Sequence, residues 1–265
     1  MTDAHCFPSI ESFKIKHMPK LKNKVALVTG SARGLGKAIA ERFAYLGADI
    51  VLNYSKDKIS ADAVLTTVKA IGVRAVAVQA DISKPAEIEQ LFREAKAAFG
   101  KIDIVVANAG LELVAVPVTE FTEAQFDTLF SINTKGTFFT IQQAAKYVED
   151  GGRIINIASS TTVYPFEGVA VYGGSKTAPK YLVQVLAKEI GHRGITVNSI
   201  IPYAVDKAGI FTNPDEPSRK WLIESNPMKR LADLEDVANV AEFFASDLSS
   251  FVSGQHLVVN GGASH

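Results

Sequence analysis

The sequence predicts an α/β fold in which helices cover both faces of a doubly wound parallel sheet of about seven strands. Short apolar runs, typical of strands buried on both faces, alternate along the chain with longer segments of helical periodicity. A glycine-rich segment follows the first of these runs directly. The chain has 265 residues and no shift in composition, which favours a single domain over residues 21–265 after an extension of residues 1–20.

The first predicted strand, residues 25–28, leads through a glycine turn into a helix. Gly30, Gly34 and Gly36 have the spacing Gly-x-x-x-Gly-x-Gly. Glycine permits a tight turn and lets the backbone approach a pyrophosphate, which the amides of a helix N-terminus favour. An ordinary glycine-rich turn is the alternative, but the flanking strand and helix favour a dinucleotide site. Its expected contacts are Gly30, Ser31, Arg33, Gly34, Leu35 and Gly36.

Six further apolar runs predict the other strands, at residues 49–53, 75–79, 102–107, 154–158, 196–201 and 257–259. Helices are predicted between them. Ser83 and Pro85 predict a helix that runs to residue 99 with the Ser83 hydroxyl as its N-cap. Thr122 with Gln125 forms a capping box at the start of another helix. Residues 206–226 are rich in Pro, Asn and Ser, which predicts a mobile lid.

Two residues are unusual for the helices in which they lie. Asn133 belongs to the helix that starts at Thr122, where it marks either a solvated position or a kink. Pro179 belongs to the helix after the fifth strand and would cost a backbone hydrogen bond beyond its first turn. That helix therefore either begins late or bends at Pro179.

The candidate catalytic residues lie after the fifth strand and in the next helix. Ser159 follows the strand, at the edge where open α/β sheets bind their ligands. Tyr172 comes thirteen positions later, and Lys176 is one helical turn beyond it. An ammonium beside a phenol is expected to lower the pKa of the Tyr towards the working range. The phenol can then exchange a proton with a carbonyl or an alcohol, although such a pair also occurs by chance.

The composition argues against several classes of protein. Lys plus Arg and Asp plus Glu each number 28, so nothing points to nucleic acid or an anionic membrane as a partner. Cys6 is the only cysteine, which rules out an internal disulfide, and the five histidines lack the spacing of metal ligands. No apolar run reaches membrane-spanning length, and no signal peptide is recognisable. We expect a cytoplasmic protein that binds no metal.

A series of motifs resembles, in order and spacing, those of the classical short-chain dehydrogenase/reductase (SDR) family, which has a Rossmann fold. The resemblance covers nearly all of the chain, from about residue 22 to 262. The motifs are Thr29-Gly30-x-x-x-Gly34-x-Gly36, Asp81, Asn108-Ala109-Gly110, Asn133, Ser159, Tyr172-x-x-x-Lys176 and Asn260-Gly261-Gly262.

The resemblance implies a role for each candidate residue. Tyr172 would be the general acid or base, Ser159 would hold the substrate oxygen, and Lys176 would bind the nicotinamide ribose and tune Tyr172. Asn133 would hold a water that links Lys176 to solvent. Ser160 competes with Ser159, but the spacing to Tyr172 favours Ser159. Further cofactor contacts would be Asp81, Ile82, Asn108, Ala109, Gly110 and Pro202, with Tyr172 and Lys176.

The sequence departs from the family pattern after the sixth strand. Pro202-Tyr203 stands where the family has Pro-Gly, and the usual threonine is replaced around Asp206-Lys207. We expect Tyr203 to alter the wall of a substrate pocket that also includes Ser159, Tyr164 and Trp221. Leu111, Leu113, Val163 and Phe166 are further candidates for an apolar or aromatic wall. The alternative is that these side chains only pack loops.

The residues after the second strand predict NADPH as the cofactor. NAD-binding folds place an acid there, which accepts hydrogen bonds from the ribose 2′-OH and would repel a 2′-phosphate. This chain has Tyr54, Ser55 and Lys56 instead, and Arg33 of the glycine turn is placed to reach the same phosphate. The alternative is that Arg33 and Lys56 are solvated surface charges.

These features predict an oxidoreductase that transfers hydride from NADPH to a ketone or aldehyde carbonyl, with Tyr172 as general acid. An NAD-dependent alcohol or sugar dehydrogenase, which uses the same residues in the oxidative direction, is the alternative among enzymes. A cofactor-sensing or scaffolding protein is the alternative outside them, although it would not need Ser159, Tyr172 and Lys176 together.

Spare apolar positions on two helices predict a homotetramer. Members of the resembled family are commonly tetramers, in which the helix with the Tyr and the helix before it pack across a two-fold axis. The relevant positions here are Phe138, Ile141, Ala145, Leu182, Val185 and Leu186. Two apolar stripes on one helix favour one face towards the sheet and one towards a neighbour. A monomer with well-buried helices is the alternative.

Overall fold

A computed structural model describes residues 20–263 and shows a sheet of seven parallel strands flanked by helices. The strands are β1 (Val25–Val28), β2 (Asp49–Tyr54), β3 (Ala75–Gln79), β4 (Ile104–Ala107), β5 (Arg153–Ile157), β6 (Thr196–Pro202) and β7 (His256–Val259). Their order in the sheet is β3-β2-β1-β4-β5-β6-β7. The predicted doubly wound fold is therefore confirmed. Of the predicted extension, residues 1–19 lie outside the described residues.

The strand boundaries match their predictions to within two residues. Every position of β1, β4, β5 and β6 is buried. Strands buried on both faces favour apolar side chains at consecutive positions, and β1 and β4 are apolar throughout. β5 and β6 also bury polar side chains, among them Arg153, Asn156 and Asn198.

The helices form a layer on each face of the sheet. They are α1 (Gly34–Tyr45), α2 (Lys58–Ala70), α3 (Pro85–Phe99), α4 (Glu123–Leu129), α5 (Thr137–Tyr147), α6 (Ala170–Ile190), α7 (Arg219–Ser225) and α8 (Leu234–Ala245). One apolar core joins α1, α2 and α8 to the sheet, with Phe43 and Phe244 fully buried. The other joins α3, α5 and α6 to the opposite face. Among the described residues, no helix is long and apolar enough to cross a membrane.

The helix predicted from Thr122 is divided into three segments. α4 begins with the predicted capping box of Thr122 and Gln125. A π-helical segment, Phe130–Gly136, separates α4 from α5. Asn133 lies in this segment and is completely buried, so a solvated position for it is wrong. A π-helical segment inside a helix is frequently found at functional sites.

The start of α3 differs from its prediction. The N-cap is Lys84, whose side chain makes no capping hydrogen bond, and Pro85 is the first helical residue. Ser83 lies one position earlier. Its amide and its hydroxyl both donate to the Asp81 carboxylate, at 3.0 and 2.8 Å. The prediction that Ser83 is the N-cap is therefore wrong, and its hydroxyl donates to the charged Asp81 carboxylate instead.

α6 begins at Ala170 and continues through Pro179, so a late start of this helix is wrong, and a bend at Pro179 stays a prediction. Because Pro179 lacks an amide hydrogen, the carbonyl of Ser175 has no donor four residues along the helix. The hydroxyl of Thr134, in the π-helical segment, donates to that carbonyl at 2.8 Å. A side chain of a neighbouring element therefore replaces the missing backbone hydrogen bond.

We expect Thr134→Val to lower the free energy of unfolding by about 1–3 kcal/mol, because the Ser175 carbonyl loses its donor. In a Pro179→Ala background the same change should cost much less, since Ala at position 179 has an amide that can donate to Ser175. Urea unfolding of both single variants and the double variant measures the difference. Equal costs in the two backgrounds would show that Thr134 does not replace the helical bond.

Residues 206–226, the predicted lid, contain a 3₁₀ turn, Gly209–Thr212, and α7. The guanidinium of Arg219 pairs with the Asp206 carboxylate at 2.8 Å, which joins the start of the segment to the start of α7. Phe211 is buried. These contacts hold the segment in the observed conformation, and its mobility stays a prediction.

Candidate active site

The three candidate catalytic side chains converge beyond the carboxyl end of β5. Tyr172 and Lys176 on α6 are buried, with 9% and 6% of their surfaces exposed. The hydroxyl of Tyr172 is hydrogen-bonded to the side chain of Ser159, which supports the choice of Ser159 over Ser160. The Ser159 oxygen also accepts a hydrogen bond from the Thr161 hydroxyl at 3.0 Å. The Lys176 ammonium donates to the carbonyl of Ile157, the last residue of β5, at 3.2 Å.

The buried amide of Asn133 joins this cluster to the loop after β4. Its Oδ1 accepts from the amide of Leu111 at 2.8 Å, and its Nδ2 donates to the Leu111 carbonyl at 2.8 Å and to Ser175 Oγ at 3.0 Å. Gly110 lies where the groups meet. A Cβ there would be 2.8 Å from Lys176 Nζ and 3.2 Å from Asn133 Oδ1, so a larger residue would displace one of them.

Burial is the largest cause of the pKa shifts of Tyr172 and Lys176, the candidate catalytic pair. It raises the pKa of Tyr172, the charge of Glu112 raises that pKa further, and the hydrogen bond from Ser159 lowers it. Burial also lowers the pKa of Lys176 to about 8, against the raising effect of Glu112. The expectation that Lys176 would lower the pKa of Tyr172 is therefore wrong for this structure, because the phenolate would lose its hydration. Tyr172 remains a protonated phenol, which is a proton donor.

The glycine turn between β1 and α1 leaves no room for side chains at two of its glycines. Gly30 has a φ of +62°, and a Cβ there would lie 2.9 Å from the Cα of Ala109. A Cβ at Gly36 would collide with the Gly30 carbonyl and lie 2.5 Å from Asn108 Nδ2. The predicted close packing of turn, helix and strand is thus present.

Two asparagines hold this turn in place. The Asn108 side chain donates to the carbonyls of Thr29 and Gly30, at 2.9 and 3.2 Å. The Asn53 side chain, buried in β2, accepts from the Gly30 amide at 3.1 Å. Asn53 was not among the residues predicted for the site. The sequence signal that could have identified Asn53 is a polar amide inside a largely apolar strand, because a buried polar group needs hydrogen-bond partners.

The start of α1 is suited to an anion. Its N-cap is Arg33, which makes no side-chain capping bond, so the first-turn amides keep free donors for a pyrophosphate. Nearby, a cavity of about 430 Å³ lies beyond β2 and β3. Its lining residues are Ser55, Lys56, Gln79, Asp81, Lys84, Glu87 and Gln90. The residues present therefore fit a dinucleotide cofactor.

The charges around the predicted 2′-phosphate site are mixed. Arg33, Ser55 and Lys56 are exposed, whereas Tyr54 is buried at the end of β2. Hydrogen bonds from Ser60 lower the pKa of Asp57, and the nearby Arg33 guanidinium lowers it further. Asp57 is therefore a carboxylate close to Arg33, which the sequence analysis did not consider.

The remaining candidates are spread along the same edge of the sheet. Ile82 is buried, and its carbonyl packs against Gly136 of the π-helical segment. Pro202 pairs with Val259 in the sheet, and the Tyr203 amide donates to the carbonyl of Val259 at 3.0 Å. Tyr203 has no positive φ, so its position does not require the glycine that is usual in the family.

The predicted substrate-pocket residues differ in burial. The Tyr164 hydroxyl accepts from Asn260 Nδ2 at 3.4 Å. Tyr203 is partly buried, which raises the pKa of its hydroxyl. Trp221 is 63% exposed on α7, and its place in the pocket stays a prediction. Within residues 20–263, no group of three or more His, Cys, Asp or Glu side chains could hold a metal ion.

The fold and the site define the class of dinucleotide-binding α/β oxidoreductases. Residues 30–264 match the family model described as enoyl-(acyl carrier protein) reductase. The chain belongs to the short-chain dehydrogenase/reductase family.

Individual relatives extend over nearly the whole chain. The hydroxynaphthalene reductase-like protein Arp2 of Metarhizium brunneum is 39% identical over 92% of this chain and 96% of its own length. A short-chain dehydrogenase from Burkholderia cenocepacia, solved in complex with NADP, is 32% identical with a TM-score of 0.87, over 92% of this chain and 98% of its own. A blue fluorescent protein from a metagenomic library, in complex with NADPH, is 35% identical with a TM-score of 0.88, over 93% and 100% of the two chains.

Proposed function

We propose that this protein is an NADPH-dependent reductase of ketones or aldehydes. The observation that carries this proposal is the buried, protonated phenol of Tyr172, which is hydrogen-bonded to Ser159 one helical turn from Lys176. A protonated acid of this kind suits the reductive direction, in which a carbonyl oxygen takes up a proton. The reductase name of the fungal relative and the NADP and NADPH bound to the two structural neighbours support it.

NADPH, when bound, supplies the hydride that adds to the carbonyl carbon. The Ser159 hydroxyl holds the carbonyl oxygen, and the Tyr172 hydroxyl gives it a proton as negative charge develops there. Lys176 binds the nicotinamide ribose. Its pKa of about 8 lets its ammonium replace the proton that Tyr172 gives up at neutral pH. Asn133 holds the Leu111 backbone and the Ser175 side chain in place beside Tyr172 and Lys176 through its hydrogen bonds.

The dinucleotide is held along the edge formed by β1, β2, β3 and β4. The glycine turn and the first turn of α1 would hold the pyrophosphate, and Asp81 and Ile82 would be further contacts of the dinucleotide. Arg33, Ser55 and Lys56 would hold the 2′-phosphate. Asn108, Ala109, Gly110 and Pro202 complete the contacts that we assign to the cofactor.

The walls beside Ser159 favour an apolar or aromatic carbonyl compound. Leu111, Val163 and Phe166 are large side chains with 37%, 38% and 58% of their surfaces exposed. Exposed apolar side chains of this kind are expected where a ligand binds and covers them. Tyr164 and Tyr203 add aromatic surface. The hydroxynaphthalene in the name of the fungal relative is an aromatic compound, which agrees with an aromatic wall.

The test is to incubate the purified protein with NADPH and a panel of aliphatic and aromatic ketones and aldehydes. We expect oxidation of NADPH that depends on the carbonyl compound and yields the alcohol. Turnover only of alcohols or sugars with NAD would establish the dehydrogenase alternative. Tight binding of NADPH without turnover of any compound would establish a sensing or scaffolding protein.

We further propose a homotetramer. Phe138 on α5 is 41% exposed, and Tyr181 on α6 is 68% exposed, which leaves aromatic surface on both helices. Of the six residues predicted for the interface, Ile141 and Leu186 are buried within the chain itself and only the other four have accessible surface. Sedimentation equilibrium should give four times the chain mass of 28.5 kDa. A single species of one chain mass would refute the assembly.

A further inference from the structure

Glu112 brings a carboxylate to the catalytic pair, and the reaction proposed above gives it no role. It lies two residues after Gly110, in the connection between β4 and α4, and is partly buried. Its charge acts on both Tyr172 and Lys176. Partly buried charges in a pocket need a partner, because water alone no longer stabilises them.

The partner of Glu112 is the backbone of the lid. Its Oε2 accepts a hydrogen bond from the amide of Ile210 at 2.8 Å. Gly209, directly before, has a φ of +53°, and a Cβ at that position would collide with the same oxygen. The 3₁₀ turn Gly209–Thr212 therefore approaches the carboxylate so closely that a side chain at position 209 would displace it.

The charged groups that face Glu112 belong to α6 and to the lid. Burial raises the pKa of Glu112, the Ile210 amide and the Lys176 ammonium lower it, and Glu216 raises it. In return, the charge of Glu112 raises the pKa of both Tyr172 and Lys176. One carboxylate is thus linked to the position of the lid and to the protonation of the catalytic pair.

We propose that Glu112 is a positioning residue that docks the Gly209–Thr212 turn onto the β4–α4 connection and, through its charge, acts on the Tyr172–Lys176 pair. The second half of this inference rests on the proposed reductase function. The first half concerns only the contact between Glu112 and Ile210 and does not depend on catalysis.

Two substitutions separate the two effects. Glu112→Gln keeps an oxygen that accepts from the Ile210 amide but removes the charge. Glu112→Ala removes both. Without the anion the protonated forms of Tyr172 and Lys176 lose stabilisation, so the pKa of each falls. We therefore expect the alkaline limb of the pH profile of kcat to move to lower pH, by about half a unit or more, in both variants.

The docking of the lid has its own readouts. Glu112→Ala should raise KM for the carbonyl substrate several-fold and speed hydrogen exchange in the peptide that contains Ile210, measured by mass spectrometry. Glu112→Gln should leave KM and this exchange close to those of the unchanged protein. Glu120→Gln, on the exposed end of the same connection, is the matched control and should change none of these quantities.

The outcomes distinguish this inference from the function on which it partly rests. An unchanged exchange rate at Ile210 in Glu112→Ala would overturn the docking role. An unchanged pH profile in Glu112→Gln, in a protein that reduces carbonyl compounds, would overturn the electrostatic role. A protein that reduces no carbonyl compound would refute the proposed function, while the exchange measurement would still decide the docking role.

Discussion

Tyr172→Phe should retain the binding of NADPH and lose about 10²–10⁴-fold in kcat, the usual contribution of a general acid. The Phe ring fills the same buried space on α6, so the fold and the cofactor contacts stay intact. Only the hydroxyl that is hydrogen-bonded to Ser159 is removed. The carbonyl oxygen then has no proton donor as its charge develops. Steady-state kinetics with the best carbonyl compound, together with NADPH titration, measure both quantities.

Two controls accompany this variant. Tyr147→Phe removes a hydroxyl from α5, where the ring packs against Phe92, and should leave kcat unchanged. Ser159→Ala should lower kcat strongly and Ser160→Ala only weakly, since the hydrogen bond to Tyr172 comes from Ser159. If Tyr172→Phe kept more than about a tenth of the turnover, Tyr172 would not be the general acid.

The unchanged protein should prefer NADPH over NADH by at least about tenfold in kcat/KM, and Arg33→Ala should erase most of that preference. Charge-assisted hydrogen bonds contribute about 1.5–3 kcal/mol each, and a tenfold preference needs only about 1.4 kcal/mol. This margin allows for the exposure of Arg33 and Lys56, which weakens their interactions through solvent screening. The use of NADH should change little in Arg33→Ala, because NADH has no 2′-phosphate.

The carboxylate of Asp57 leads to a further expectation about the preference for NADPH. Arg33 lowers the pKa of Asp57 electrostatically, and we expect the negative charge of Asp57 to weaken the attraction of Arg33 for a phosphate. Asp57→Asn should therefore strengthen the preference for NADPH, while an Asn side chain can still cap α2 through the Ser60 amide. Arg93→Ala, which removes an exposed Arg from α3, is the matched control. Equal kcat/KM for the two cofactors in the unchanged protein would contradict the assignment.

The sequence by itself determined the sheet and the location of the site. Strands such as β1 and β4 are buried at every position, so their continuous apolar runs are visible in the sequence alone. Gly30 and Gly36 indicated the tight turn, because only glycine fits where backbones approach this closely. The capping box of Thr122 and Gln125 is local as well. Each of these signals is visible within a short stretch of sequence, although the backbone that Gly30 approaches is that of Ala109, much later in the chain.

Only the tertiary structure decided how the site is held and charged. The amide of Asn133 joins Leu111 to Ser175, and Asn53 supports Gly30 from the neighbouring strand. The Glu112 carboxylate accepts a hydrogen bond from the lid amide of Ile210, which is 98 residues later in the sequence. The pKa of Tyr172 rises although Lys176 lies one turn away, because the cost of burying a phenolate depends on everything packed around it. Contacts and burial of this kind arise between distant segments, so no local pattern encodes them.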